Sequence, residues 1–527
     1  MKTKNYLLLL ITFILTMGCD DKKNGIVNIR IKDMYEFKNR IVTCPVVLED
    51  NKKGILRVAF VISRKEIKKD DVREIDEVVI YDLDGKQYNS KKIEFIDEPA
   101  IIPGKSIEAI DRNGDGVDEI LVYDTYGRGW VFEQNGNAVK GYGIKDGLDH
   151  AGILVSLNQF EVSINNEKTK KIVTTMLGMG GEYDKKYFLD IRTPGKDSLS
   201  GYPIIYGDDE EISKSILADE NIYIQLSSRD GDFINGYSIN GGKRLAGFPI
   251  ALSGLNYDVV DMCIYKGEDI VLSARKNSIY RINLKSRKLD KVEIKGSNSV
   301  ENVKTGYVNG DEYIYAFDNK DNIIYRIDNK NKVIDKLKVK VEDSFDLKYF
   351  NTFSINNGNE TYIFLIYGEQ SLMDIEKMFD KYAPAGEKKK IEKEIEERIY
   401  RGHKNYYRTS KLNIEQMKEA KEAIIDSKDG YLREHLGDEY EGIRVLTPRT
   451  KVIVYKNIKD RIEQISFDEI PEYELKTFLG DFPYLYPSIY FNSKLSTLAF
   501  IVPINKKPED EKNEKSIIKS YIFSDIK

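Results

Sequence analysis

Asp111, Asn113, Asp115 and Glu119 stand at the first, third, fifth and ninth places of the run Asp111-Arg112-Asn113-Gly114-Asp115-Gly116-Val117-Asp118-Glu119. These side chains offer hard oxygen atoms, and the glycines let the chain bend tightly enough to crowd them together. That is the chemistry a Ca²⁺ ion requires. The run opens directly onto apolar Ile120-Leu121-Val122-Tyr123, which has the character of a strand. A helix–loop–helix calcium site needs a bidentate Glu at its twelfth place, which here is Val122. The loop is therefore expected to join strands.

The run resembles the Asp-x-Asp-x-Asp-Gly-x-x-Asp loops of FG-GAP/VCBS repeats, the blades of integrin-α-like β-propellers. Asn113 replaces the second Asp of that pattern and Glu119 the last. The resemblance covers one blade. It implies a structural Ca²⁺ held by the side chains of Asp111, Asn113, Asp115 and Glu119 and the backbone carbonyl of Val117. It also implies a propeller fold, in which such an ion stiffens a hairpin.

Other chemistry finds little support. The chain has three histidines (His150, His403, His435), no Gly-x-Ser-x-Gly elbow and no Walker loop. Carboxylates are too numerous for spacing to select an acid/base pair, so no catalytic residue is named. Gly127-Arg128-Gly129-Trp130 and Met179-Gly180-Gly181 read as bulges or turns. Trp130 is the sole tryptophan, which argues against a quinoprotein with a Trp in every blade. Basic and acidic residues, 82 and 87, are interspersed, leaving no nucleic-acid footprint. The 35 tyrosines suit packing between blades better than recognition.

The N-terminus carries an export signal. Lys2 and Lys4 precede Leu7–Met17, an apolar run of about a dozen residues that is too short to span a bilayer. Gly18-Cys19 and the polar Asp20-Asp21-Lys22-Lys23 follow. This resembles a bacterial lipoprotein signal, with residues 1–18 removed, Cys19 lipidated and 19–25 a tether. The resemblance implies an extracytoplasmic protein of the cell envelope, periplasmic or surface-exposed, bound to the membrane through Cys19.

Internal repetition sets the architecture of residues 26–527. Ile279-Tyr-Arg-Ile282 recurs as Ile324-Tyr-Arg-Ile327, and Gly201-Tyr-Pro-Ile204 as Gly247-Phe-Pro-Ile250. A period in the mid-forties filled by short strands suits a four-stranded propeller blade. Units begin near residues 41, 101, 150, 210, 255, 298, 344 and 483. The last unit shows three strands, and Ile26–Ile31 is expected to supply its fourth and close the ring. The fold expected is all-β, a propeller of eight blades, or seven if the unit at 150–208 merges with its neighbour. Cys44 and Cys263 fall in the first and fifth units, opposite each other in an eight-bladed ring and beyond disulfide reach.

The seventh unit is interrupted over 369–447, where the apolar period changes from 2 to 3.6. Ile375, Met378, Phe379 and Tyr382 form one stripe, and Ile391, Ile395 and Ile399 another. Asn413 and Gln416 predict the capping box of a third helix. Long insertions on one face of a repeat fold often carry binding. The combined reading is a non-catalytic envelope scaffold that presents its loops and helices to a protein or glycan. The alternative is an extracytoplasmic glycan hydrolase or lyase with its site in the central depression.

Overall fold

The structure is a computed structural model describing residues 28–524 with breaks, the longer ones at 97–105, 140–151, 179–185, 253–258, 437–448 and 507–514. Residues 1–27, including Cys19 and the signal segment, lie outside the described residues, as does Met179-Gly180-Gly181. The chain is a β-propeller with a late helical insertion. Among the described residues eight antiparallel sheets follow one another, and a small hairpin pairs Phe478–Leu479 with Phe482–Pro483.

The fifth and sixth sheets show the unit in its simplest form. The sixth consists of Val300–Val308, Asp311–Asp318, Ile323–Ile327 and Val333–Lys338, in that spatial order. Its first hairpin turns at Asn309-Gly310, both with positive φ (53° and 82°), the geometry that a two-residue hairpin loop demands. In the second and fifth units the second strand is packed on both faces. Glu119–Tyr123 and Asp269–Ser273 are buried throughout, which explains the apolar runs Ile120–Tyr123 and Ile270–Leu272 within them. The first strand carries an extra residue near its start in the third, fourth, sixth and seventh sheets, where register shifts at Leu154/Ser156, Ile212/Lys214, Val300/Asn302 and Leu347/Tyr349. A bulge sharpens the local twist, and here it recurs at equivalent points of the repeat.

Neighbouring sheets share apolar cores. The third and fourth meet through Leu189, Ile191, Ile222 and Ile224, and the fifth and sixth through Val271, Ile279, Ile314 and Tyr325. The seventh and eighth meet around Phe364 and Phe500, whose rings lie 4.5 Å apart. The eighth and first meet through Phe60, Val58, Ala499 and Ile501, so the end of the chain packs on its beginning. Asn28–Phe37 pairs with Lys515–Ser524 as the outer strand of the eighth sheet. The N-terminal segment thus supplies the expected fourth strand. The unit at 150–208 is a separate four-stranded sheet, which decides for eight blades over seven.

The junction of the eighth and first sheets departs from the repeat. In the eighth, Tyr473–Glu474 and Ser488–Asn492 both pair with Thr497–Lys506, so the inner strand is split. In the first, Arg40–Ile41 and Val46–Asp50 likewise share Ile55–Lys68. Cys44 lies in that break, beside Thr43, whose Oγ1 accepts the Val61 amide at 2.8 Å. Cys263 is in the first strand of the fifth sheet, and neither thiol is in a disulfide.

The repeated Gly-aromatic-Pro-Ile turns clasp one blade to the next. A Cβ on Gly201 (φ +87°) would lie 2.2 Å from the carbonyl oxygen of Gly241, in the next sheet's hairpin. One repeat later, the Arg287 guanidinium covers the Phe248 ring at 4.5 Å.

The insertion sits between the second and third strands of the seventh sheet, Glu360–Glu369 and Arg449–Ile458. It holds α1 (Ile375–Tyr382), α2 (Lys388–Tyr406) and α3 (Ile414–Leu436). Met378, Phe379, Ala383 and Leu432 form its own core. Buried Lys428 reaches Glu392 at 2.7 Å and lies 5.3 Å from the Phe379 ring centre. The capping box forms as expected: the Gln416 amide donates to Asn413 Oδ1 at 2.9 Å, and the Asn413 amide to Gln416 Oε1 at 3.0 Å. At the stem, Arg449 grips Glu369 with two bonds of 2.7 and 2.6 Å and Glu469 with a third of 3.0 Å.

Candidate functional site

The loop read as a cation site joins Ile107–Ile110 to Glu119–Tyr123 in the second sheet. Its polar side chains turn back on its own amides. Asp111 accepts from the Asp115 amide at 3.1 Å and the Gly116 amide at 3.0 Å. Asn113 Oδ1 also takes the Asp115 amide (3.0 Å), and Asp115 Oδ1 takes the Val117 amide (2.9 Å). These bonds bring Asp111, Asn113 and Asp115 to one small arc of backbone. Glu119 begins the following strand and is buried.

The loop is braced against the hairpin at Asp50–Gly54 of the first sheet. The Asn51 amide donates to Gly116 O at 2.8 Å, the Asp118 amide to Glu49 O at 2.9 Å, and the Glu49 amide to the Asp118 carboxylate at 2.7 Å. Gln134 spans both partners, donating to Glu49 O at 3.0 Å and Asp118 O at 2.9 Å. Buried Arg57 donates to Gln134 and pairs with Asp82 at 3.0 Å. From the same hairpin, the Lys52 ammonium meets Asp115 Oδ2 at 2.8 Å. That hydrogen bond holds Asp115 below the usual carboxylate range. It also raises Lys52, helped by the charges of Asp115, Asp50 and Asp111.

Among the described residues no group of three His, Cys, Asp or Glu side chains is gathered as a metal nest. The donor chemistry nevertheless fits a hard cation, because two carboxylates and a carboxamide share one arc. A tethered ammonium already stands in that negative field.

A second charged cluster escaped the sequence reading. Asp261, buried at the start of the fifth sheet, accepts Lys214 from the fourth sheet at 2.9 Å, Lys304 from the sixth, and the Val303 amide at 3.1 Å. Burial alone would raise its carboxyl, but the two lysines outweigh that and hold it low. A carboxylate so tied is a structural brace, poorly suited to protonating a leaving group. Burial pushes the neighbouring Cys263 thiol up, away from nucleophilic reactivity. One signal was available: Lys214 and Lys304 lie two repeat lengths apart in the sequence.

No helix among the described residues is long and apolar enough to cross a membrane. No protein-family profile and no curated protein sequence matches the chain. Among solved structures the chain is similar to Sqt1 from Chaetomium thermophilum, at 10% sequence identity and a TM-score of 0.40, covering 65% of this chain and 84% of that one. A likeness at this level adds nothing to the eight sheets themselves, and those sheets make the fold a β-propeller.

Proposed function

We propose that this chain is a non-catalytic scaffold of the cell envelope, lipid-anchored through Cys19, whose propeller presents a helical arm to a protein or glycan. The observation that carries the reading is the arm itself. Three helices with their own apolar core stand in one blade hairpin, gripped at the stem by Arg449, Glu369 and Glu469. A blade needs a turn there, and an independent helical unit is a means of contact. The test is a pull-down from solubilised envelope with the intact chain and one lacking 370–448, both checked for unchanged melting. A specific partner lost with the arm supports the reading, and equal recovery by both sinks it. Labelled palmitate incorporation, abolished by Cys19→Ser, tests the anchor.

Ca²⁺ belongs to the same reading as a structural ion. Asp111, Asn113 and Asp115, with the Val117 carbonyl and Glu119, would hold it. Its charge would tie the loop's carboxylates together and stiffen the brace between the first two blades. Calorimetric titration with Ca²⁺ tests this directly. Binding that disappears in Asp111→Ala/Asp115→Ala supports it, and no heat with the intact chain refutes it.

A further inference from the structure

The helical hairpin is lopsided in charge. Residues 401–407 and 411–421, on either side of its turn, carry five Lys/Arg and two Glu. The rest of α2 and α3, residues 388–400 and 422–436, carries seven Lys/Arg against eight Asp/Glu. A cationic tip thus stands on a near-neutral base, in a chain with a net charge of −5.

The same tip exposes apolar surface. Among the described residues Tyr406, 80% exposed, stands far above the next large hydrophobic side chain, Phe467 at 48%, and Met417 near the start of α3 is 37% exposed. Neighbouring Tyr407 is fixed. Its hydroxyl donates to Glu419 across the turn, and its ring packs 6.0 Å from that of His403. Tyr406 meets Tyr407 edge-on at 4.8 Å. One ring is therefore anchored and holds the other outward. On the same helix ends Lys404 and Lys421 are exposed, and Lys418 has a loose pairing with Glu422 at 3.9 Å.

We propose that this tip docks on an anionic membrane surface. Clustered cations are drawn to acidic headgroups, with an attraction that fades over a Debye length. A tyrosine ring suits the headgroup layer, because its face is apolar and its hydroxyl stays wet. Lysine stems lie along apolar surface while their ammonium groups reach the phosphates. One ring and one thioether form too small an apolar patch for the core of a stable protein interface, which favours a lipid surface over a folded acidic protein. The inference is independent of acylation at Cys19 and of any partner the arm recruits.

The test uses the chain from Ile26 onward, which contains every described strand and helix. It is co-sedimented with vesicles of phosphatidylcholine alone and of phosphatidylcholine mixed with phosphatidylglycerol. Binding to the mixed vesicles only, falling about tenfold when salt is raised well above physiological strength, is expected. Tyr406→Ser/Met417→Ser and, separately, Lys404→Glu/Lys418→Glu should each weaken it about tenfold with unchanged melting, whereas Lys389→Glu at the base should not. No binding to the mixed vesicles overturns the proposal. So does full retention by either tip variant, or capture by immobilised heparin without vesicle binding.

Discussion

The fifth and sixth blades and the junction of the eighth with the first solve the same packing problem by different means. In the former, each strand follows its neighbour through a short turn, and register is set locally at places such as Asn309-Gly310. In the latter, the inner strands are split and the outer strand arrives from the far end of the sequence. Local turn chemistry can build a blade, but closing a ring needs contacts that no turn dictates. The regular blades are therefore expected to be individually tolerant, and the closure to hold the molecule's cooperativity.

Removing Asn28–Phe37 is the strongest way to break that comparison. It strips the eighth sheet of an outer strand paired along its length with Lys515–Ser524. A loss of roughly 5 kcal/mol or more is expected, enough to unfold a marginally stable chain, and denaturant titration will read it. If the truncated chain melts like the intact one, the closure is dispensable and the contrast fails.

Phe500→Ala probes the same region from within. The ring packs on Phe364 at 4.5 Å and Tyr521 at 5.9 Å, between the seventh and eighth sheets. A cost of about 4 kcal/mol is expected from transfer and cavity together. Ile314→Ala, in the core of the regular blades, should cost about 3 kcal/mol. Equal values would show that the two kinds of junction carry similar loads.

Asp261→Asn tests a brace in the regular part. Leaving Lys214 and Lys304 without their carboxylate should cost about 2 kcal/mol, less than a fully buried pair because both lysines are partly exposed. The carboxyl is held below its ordinary 3.8, so its contribution is fully present above that value. It is lost as pH falls through the lower folded value. The gap between parent and variant should therefore be constant near neutrality and close only in strong acid. A gap that closes above pH 5 would contradict the assignment.

Lys52→Met gives the smallest effect and sharpens the first blade boundary. The pair with Asp115 is exposed, so melting without metal should barely move. With the tethered ammonium gone, added Ca²⁺ should raise the melting temperature more than it does for the parent. An unchanged or smaller response would mean that Lys52 does not compete for the loop's charge.

The sequence was most informative where structure is local. The four-stranded unit expected to begin near residue 298 forms from Val300 to Lys338, and Asn413 and Gln416 cap α3 as their spacing required. The Asp111–Glu119 run was legible as a strand-joining loop. Its bracing by Glu49, Asn51 and Lys52 was not, because those contacts cross a blade boundary. The split strands at Cys44 and before Ser488 were hidden for the same reason. The Lys214–Asp261–Lys304 brace needs three sheets side by side before its charges mean anything.

The paired strands at the foot of the helical arm have an evolutionary consequence. Glu369 and Arg449 face each other across a ladder that continues down to Thr361 and Asn457, so the ring meets the arm as an ordinary hairpin. A segment mounted this way can be gained, lost or exchanged among descendants without the blades having to relearn their packing. The same bracket makes it a natural place to graft a foreign module.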